Sequence, residues 1–187
     1  MVKKKACIFI SGSGTNLRAI IKNSRDYNFP INVSLVISNK KNAGGIYFAK
    51  KFSIPHIILD LKKDKFEKIA IKELLDRKIN LLCLAGFMKV LSKRFIRNFK
   101  GKIINIHPSL LPKYKGLNTF KRILNAGEKI TGCSVHFVDE KLDNGNIIVK
   151  KRISIKEKEN LDQLKKRVQT EEYKAYSIAI RKIYSLN

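Results

Sequence analysis

Acidic residues are scarce in this sequence: 15 Asp and Glu stand against 40 Lys and Arg, giving a formal net charge of +25 at pH 7. A basic block is also lacking, because the 31 lysines are scattered from Lys3 to Lys182 and only nine arginines accompany them. Nucleic-acid-binding proteins concentrate charge on one face and use arginine for two-point contacts. The scatter therefore favours a compositional origin for the charge, and we expect no specific nucleic-acid partner.

Cysteine is scarce as well, and Cys7, Cys83 and Cys133 lie far apart within apolar segments. This usage is typical of core residues in a reducing compartment, and no Cys-x-x-Cys pair or Cys/His cluster suggests a metal site. The apolar stretch 6–10 is shorter than the roughly 7–15 residues of a signal-peptide core. No segment approaches the roughly 20 apolar residues that span a bilayer. We therefore expect a cytoplasmic protein with no metal and no membrane partner.

Linkers rich in Pro, Gly or Ser, internal repeats and low-complexity segments are absent from the 187 residues, of which 44% are hydrophobic. One domain of roughly 100–200 residues accounts for this length, so we expect a single domain over 1–187. Apolar runs of strand length alternate with amphipathic stretches, which is typical of βαβ units. The sequence thus predicts an α/β fold: a Rossmann-like, mostly parallel sheet with flanking helices, then a C-terminal β ribbon and a long helix.

The expected elements follow from these patterns. A turn at 143–145 joins the two strands of the ribbon. The last helix has Asn160 as its expected N-cap, and its apolar stripe comprises Leu161, Leu164, Val168, Ala175 and Ile178. The predicted strands are 6–10, 33–38, 55–59, 81–85, 103–106, 133–138 and 147–155, and the predicted helices are 17–22, 46–52, 66–77, 93–99, 119–125 and 161–184.

A glycine-containing loop, residues 11–16, lies between the first strand and the first helix. Its backbone amides suit an anion at a helix N-terminus. The loop is not a dinucleotide fingerprint, because Leu17 occupies the third glycine position and no acid follows the second strand, and it is not a Walker loop either. A phosphate monoester, as on a sugar phosphate, fits it better than a nucleotide chain. An ordinary tight turn is the alternative.

Three polar residues follow later strands. Asn105 and His107 alternate at the end of a strand that Pro108 stops, so their side chains project the same way. Asp143 lies in a turn where a carboxylate would ordinarily only cap the backbone, and a histidine before proline is often structural. An amide, an imidazole and a carboxylate brought together can stabilise an oxyanion and move protons. We assign His136, in the ribbon, a supporting role and treat His56 as structural.

Several motifs together resemble the phosphoribosylglycinamide formyltransferase family. They are SGSGTNL at 11–17, AGFMKVLS at 85–92, INIHPSLLPKYKG at 104–116, GCSVHFV at 132–138, LDNG at 142–145 and RVQTEEYKAY at 167–176. The resemblance covers the chain in order, and its Asn-x-His-Pro-Ser-Leu-Leu-Pro segment belongs to the wider formyltetrahydrofolate hydrolase and transferase superfamily. It implies formyl transfer from the co-substrate 10-formyltetrahydrofolate to the amine of glycinamide ribonucleotide in de novo purine synthesis, without a metal or a covalent enzyme intermediate.

The resemblance also implies the site residues, position by position. Asn105, His107 and Asp143 match the catalytic trio: Asn105 and protonated His107 would hold the oxyanion, and Asp143 would favour the imidazolium and relay the amine proton through water. Phosphate-loop matches are Gly14, Thr15 and Asn16, and ribonucleotide-side matches are Gln169, Thr170, Glu171 and Glu172. Folate-side matches are Lys63, Met88, Lys89, Val90, Leu91, Asn105, Asp139, Glu140, Lys141, Leu142 and Asp143.

The sequence departs from the family pattern in one loop and leaves rival functions to consider. The usual Tyr-Pro-Gly with two following histidines is here 114–120, YKGLNTF, and Lys63 stands where the family often has arginine. Two rivals of the same superfamily are not expected, because each usually carries an additional domain. Methionyl-tRNA formyltransferase has a further C-terminal tRNA-binding domain, and formyltetrahydrofolate deformylase has an added N-terminal regulatory domain. A non-catalytic RNA-binding module would need clustered charge with interleaved aromatics. We therefore expect a monomeric or homodimeric small-molecule formyltransferase.

Overall fold

The computed structural model describes residues 2–184. Its strands form a seven-stranded, mostly parallel sheet in the order β3-β2-β1-β4-β5-β6-β7, numbered along the chain. This confirms the α/β fold class that the sequence predicts. The chain divides into two compact units, residues 2–104 with Tyr184, and residues 105–183. Within the described residues, no helix has the length and apolar character needed to cross a membrane.

The first unit consists of alternating strands and helices. Strand β1 runs parallel to both β2 and β4, and β2 runs parallel to β3. The last five residues of β1 are all buried, as expected for a strand covered on both faces. The bounds are β1 Lys4–Ile10, α1 Thr15–Ser24, β2 Ile31–Ser38, α2 Gly45–Lys51, β3 His56–Ile58, α3 Lys63–Asp76, β4 Leu81–Leu84, α4 Lys93–Asn98 and β5 Lys102–His107, which continues into the second unit.

Four phenylalanines fix the carboxyl end of β1. The ring centroid of Phe9 lies 5.6 Å from that of Phe66, 5.2 Å from that of Phe87 and 6.1 Å from that of Phe95. Such edge-on and tilted pairs add about 0.5–1.5 kcal/mol each to the burial of their area. The loop that follows β1 therefore starts from a rigid point.

The second unit carries the ribbon and the long helix. Its elements after β5 are α5 Thr119–Asn125, β6 Ile130–Phe137, β7 Ile147–Ser154 and α6 Leu161–Tyr184. Strands β6 and β7 pair antiparallel, with a register shift between Val135 and His136. The expected ribbon and its turn are thus confirmed. Cys133 on β6 is buried, as are Cys7 and Cys83 of the first unit.

Helix α6 begins as predicted, and its buried stripe includes three of the five predicted residues, Leu164, Val168 and Ala175. Asn160 Oδ1 accepts a hydrogen bond from the Gln163 N–H, and Gln163 Oε1 accepts one from the Asn160 N–H, both at 3.0 Å, which is a reciprocal capping box. Leu161 is 41% exposed and Ile178 is only half-buried, so the prediction was wrong for these two. The stripe follows a 3.6-residue period from Leu164 and comprises Leu164, Val168, Glu172, Ala175, Tyr176, Ala179 and Ile180.

Candidate active site

The predicted polar trio forms one cluster in the second unit. Strand β5 ends at His107, just before Pro108, and presents Asn105 and His107 on the same side. His107 Nδ1 lies 3.2 Å from Asp143 Oδ2. Both side chains are buried, and Asp143 adopts a left-handed backbone conformation with φ +47°. The trio is therefore brought together from elements about 40 residues apart.

His136 joins this cluster from β6. Its Nδ1 lies 2.8 Å from the Phe137 carbonyl oxygen, so this nitrogen carries the proton and donates. Its Nε2 then acts as an acceptor in the neutral ring and lies 3.3 Å from Asn105 Nδ2. The same Asn105 nitrogen donates to Asp143 Oδ1 at 3.4 Å. Because His136 Nε2 and Asp143 Oδ1 both accept, the atom of the Asn105 amide that faces them is the nitrogen and not the oxygen.

Two backbone groups complete the cluster, and the sequence analysis missed both. His107 Nε2 donates to the Tyr114 carbonyl oxygen at 2.8 Å. The Gly116 N–H donates to Asp143 Oδ2 at 2.9 Å. Because each residue type supplies the same backbone groups, nothing in the sequence marks these two positions except their place in the matched 104–116 motif.

Burial and polar contacts act in opposite directions on the pKa values of His107 and Asp143. Burial lowers the pKa of His107 from its ordinary value, although the Tyr114 carbonyl and the Asp143 carboxylate oppose this. Burial alone would raise the pKa of Asp143, but its contact with His136 and the hydrogen bond from the Gly116 N–H, with the nearby imidazoles, lower it. Both ring nitrogens of His107 face oxygen acceptors, Nε2 the Tyr114 carbonyl at 2.8 Å and Nδ1 the Asp143 carboxylate at 3.2 Å. The protonated His107 that the family resemblance implies for the reaction therefore stays a prediction.

The predicted phosphate loop lies in the first unit. Ser11 Oγ donates to Asn39 Oδ1 at 2.6 Å and accepts the Met88 N–H at 2.8 Å, which ties the loop to two other strand ends. Gly12 and Ser13 are exposed, and the following helix α1 has no acidic residue in its first turn. An exposed loop before such a helix N-terminus suits an anion.

Gly14 has a packing role that the sequence analysis did not anticipate. It adopts φ +77°, and a Cβ at this position would collide with the backbone of Gly45, the first residue of α2. The Gly45 N–H donates to the Gly12 carbonyl oxygen at 3.1 Å. The Gly44-Gly45 pair was the available signal, because adjacent glycines permit close backbone approach. A Cβ on Gly12, in contrast, would meet nothing within 4 Å.

The folate-side matches of the first unit are mostly solvent-accessible. Met88 and Val90 are 67% and 59% exposed, whereas Leu91 is buried. Lys89 Nζ donates to the Leu61 carbonyl oxygen at 3.0 Å and lies 5.7 Å from the Phe66 ring centroid. Lys63 is exposed at the start of α3.

The folate-side and ribonucleotide-side matches of the second unit are mixed. Asp139 Oδ1 accepts the Lys141 N–H at 2.8 Å, and Leu142 is 52% exposed, while Glu140 is exposed. On α6, Thr170 bonds to its own helix, Glu171 pairs with Lys174 at 2.6 Å, Gln169 is half-buried and Glu172 is buried. Glu172 therefore belongs to the packed stripe of the helix.

A strand end that carries an amide and an imidazole, with a carboxylate from a turn held against them, is an arrangement suited to group-transfer chemistry. Among residues 2–184, no set of three or more His, Cys, Asp or Glu side chains is arranged to hold a metal ion. The formyl transferase family profile matches residues 4–180. The chain belongs to the formyl transferase family.

Within this family, the chain is similar to proteins named for one acceptor. It is 38% identical to phosphoribosylglycinamide formyltransferase of Haemophilus influenzae, covering 95% of this chain and 86% of that protein. The crystal structure of phosphoribosylglycinamide formyltransferase from Bacillus halodurans has a TM-score of 0.92 at 35% identity, covering 97% of this chain and 96% of that one. The trifunctional purine biosynthetic protein adenosine-3 of Gallus gallus is 38% identical over 98% of this chain, which spans only 19% of that protein.

Proposed function

We propose that this protein transfers the formyl group of 10-formyltetrahydrofolate to the amine of 5-phosphoribosylglycinamide, giving formylglycinamide ribonucleotide for purine synthesis. The observation that carries the proposal is the buried cluster in which Asn105 Nδ2 and His107 Nδ1 both lie within 3.4 Å of the Asp143 carboxylate. The similarity to phosphoribosylglycinamide formyltransferases supports the choice of acceptor.

The exposed side chains fit a folate co-substrate. Leu142 is 52% exposed and presents apolar surface next to Asp143. Exposed apolar side chains next to polar catalytic groups are typical of a site for a flat, partly apolar ligand. The folate supplies an activated formyl group when bound, and the residues of this chain have to stabilise charge and move a proton.

Asn105 is the proposed donor to the formyl oxygen. Its two amide hydrogens face acceptors at 3.3 and 3.4 Å, which are long hydrogen bonds and therefore weak ones. A formyl oxygen that gains negative charge during attack by the amine competes well for such a donor. The amide is already oriented by His136 and Asp143, so little reorganisation accompanies the reaction.

His107 and Asp143 are the proposed proton carriers. In the ligand-free protein His107 Nε2–H is bound to Tyr114, and Nδ1 is the nitrogen that faces Asp143. When the amine attacks the formyl carbon, its proton passes through water and Asp143 to His107 Nδ1. The resulting imidazolium is paired with the carboxylate and stabilises the oxyanion. The proton then passes to the leaving folate nitrogen as the carbon–nitrogen bond of the donor breaks.

The loop 11–16 is the proposed site of the ribonucleotide phosphate, and Gly12 allows a clean test. Because a Cβ at Gly12 meets no protein atom within 4 Å, Gly12→Val leaves the fold intact but places methyl groups where the phosphate would approach the backbone. We expect the Kd for 5-phosphoribosylglycinamide to rise about tenfold or more, which is about 1.4 kcal/mol, with the Kd for a folate analogue unchanged in calorimetry.

The matched comparison for this test is Gly14→Ala. Its Cβ collides with Gly45, so we expect a lower Tm and weaker binding of both ligands. Equal loss of both ligands in Gly12→Val with a normal Tm would remove the loop from the phosphate site.

The choice of acceptor is tested by supplying alternatives. With 10-formyltetrahydrofolate present, we expect rapid release of tetrahydrofolate, followed by absorbance, only when 5-phosphoribosylglycinamide is added. Methionyl-tRNA as acceptor, or water alone, should give a rate at least about 10² lower, because a pocket that pairs with polar groups rejects acceptors that leave those groups unpaired. Comparable release with methionyl-tRNA would favour the tRNA-formylating alternative, and comparable release without acceptor would favour a hydrolase.

A further inference from the structure

The segment 114–118, here called the 114–118 loop, contacts both members of the His107–Asp143 pair through its backbone. The Tyr114 carbonyl accepts from His107 Nε2 at 2.8 Å, and the Gly116 N–H donates to Asp143 Oδ2 at 2.9 Å. The loop therefore binds both partners of the pair, His107 through Tyr114 and Asp143 through Gly116, and its position sets the orientation of both.

This loop needs support from outside. Tyr114 and Asn118 have φ values of +58° and +54°, in the left-handed region that costs non-glycine residues roughly 1–2 kcal/mol each. Backbone held in such conformations persists only where the surroundings determine it. A specific contact that fixes the loop is therefore to be expected.

Arg122, on the second turn of α5, provides that contact. Its Nη1 donates to the Lys115 carbonyl at 2.6 Å and to the Leu117 carbonyl at 3.3 Å, so it binds the loop on both sides of Gly116. Its guanidinium carbon lies 5.5 Å from the centroid of the Tyr114 ring. A planar guanidinium presents its donors in a fixed fork and stacks on an aromatic face, whereas an ammonium is a compact charge on a flexible stem.

Glu128 holds the other side of the Tyr114 ring. Its Oε1 accepts the Tyr114 hydroxyl at 2.8 Å and the Lys113 ammonium at 3.1 Å. The ring of Tyr114 is thus fixed at its face by Arg122 and at its hydroxyl by Glu128. Both contacts come from residues that lie outside the catalytic cluster.

We propose that Arg122 is a positioning residue for formyl transfer: by bracketing Gly116 and covering Tyr114, it holds the 114–118 loop where its backbone orients His107 and Asp143. This inference rests on the proposed function. Arg122 is exposed and positively charged, so the alternative role is simple attraction of anionic substrates. The two roles affect different kinetic constants, because orientation acts on kcat and attraction acts on KM.

The test compares Arg122→Ala and Arg122→Lys with Lys121→Ala, which removes an equal charge from the neighbouring exposed position of the same helix. We expect kcat to fall about tenfold in both Arg122 variants with each KM changing less than threefold, because small displacements of catalytic groups have effects of this size. Lys121→Ala should retain the wild-type kcat. Millimolar guanidinium should restore part of the kcat of Arg122→Ala and none of the kcat of His107→Ala.

A second readout does not depend on activity. Hydrogen exchange of the peptide 113–118 should be faster in both Arg122 variants than in the wild type and in Lys121→Ala, since the Gly116 amide is held less firmly. A wild-type kcat in Arg122→Ala would overturn the positioning role. So would a wild-type kcat and KM in Arg122→Lys combined with a change in KM alone in Arg122→Ala. Absence of formyl transfer in the wild type would instead refute the proposed function. Independently of activity, hydrogen exchange of 113–118 that is the same in the Arg122 variants as in the wild type would refute the role of Arg122 in holding the loop.

Discussion

Replacement of Asp143 with asparagine is expected to lower kcat for formyl transfer by a factor of about 10² to 10⁴, with each KM changing less than about fivefold. Asparagine keeps the shape and accepts the Gly116 N–H, but it removes the charge 3.2 Å from His107 Nδ1. Without that charge the imidazolium formed during transfer has no partner in a buried site. The loss should therefore fall on the chemical step and leave substrate binding nearly unchanged.

The matched control is Asp162→Asn, which removes a carboxylate from the exposed first turn of α6 in the same unit. It should retain the wild-type kcat. Steady-state kinetics with both substrates varied, and a thermal unfolding scan of each variant, separate catalysis from stability. A normal kcat in folded Asp143→Asn would exclude this carboxylate from the mechanism.

Replacement of Asn105 with alanine should lower kcat by about 10² to 10³, the usual effect of removing one oxyanion donor. The change removes the Nδ2 group that faces His136 and Asp143 and that we assign to the formyl oxygen. It also leaves a vacant position beside Asp143, so the Tm has to be measured alongside the rate.

Asn125→Ala, at the exposed end of α5, serves as the control for this variant and should behave as wild type. If Asn105→Ala instead raises KM for the folate with kcat preserved, Asn105 binds the ground state and does not act as the transition-state donor.

Much of the fold could be predicted because buried parallel strands have a strong signature. The predicted strand at 81–85 corresponds to β4, in which all four residues are buried, and the predicted helix at 119–125 coincides with α5. Alternation on β5 also placed Asn105 and His107 on one side. Patterning failed for the stripe of α6, because Glu172 and Tyr176 are buried there although polar side chains are usually assigned to the surface.

The arrangement of the site could be predicted only in part. Motifs indicated the trio, but the groups that orient it are the Tyr114 carbonyl and the Gly116 amide, which every residue type possesses. The low pKa of His107 follows from burial, and a linear sequence does not reveal desolvation. Arg122 lies outside the matched motifs, so its contact with the loop emerges only from the fold.

A labelled co-substrate shows whether the formyl carbon ends on the ribonucleotide amine, as proposed. The protein is incubated with 10-formyltetrahydrofolate carrying carbon-13 in the formyl group and with unlabelled 5-phosphoribosylglycinamide, and the products are identified by mass spectrometry, with Asp143→Asn as the blank. We expect labelled formylglycinamide ribonucleotide in amounts equal to the tetrahydrofolate released. Label recovered as free formate, or retained on the folate while the ribonucleotide stays unmodified, would contradict it.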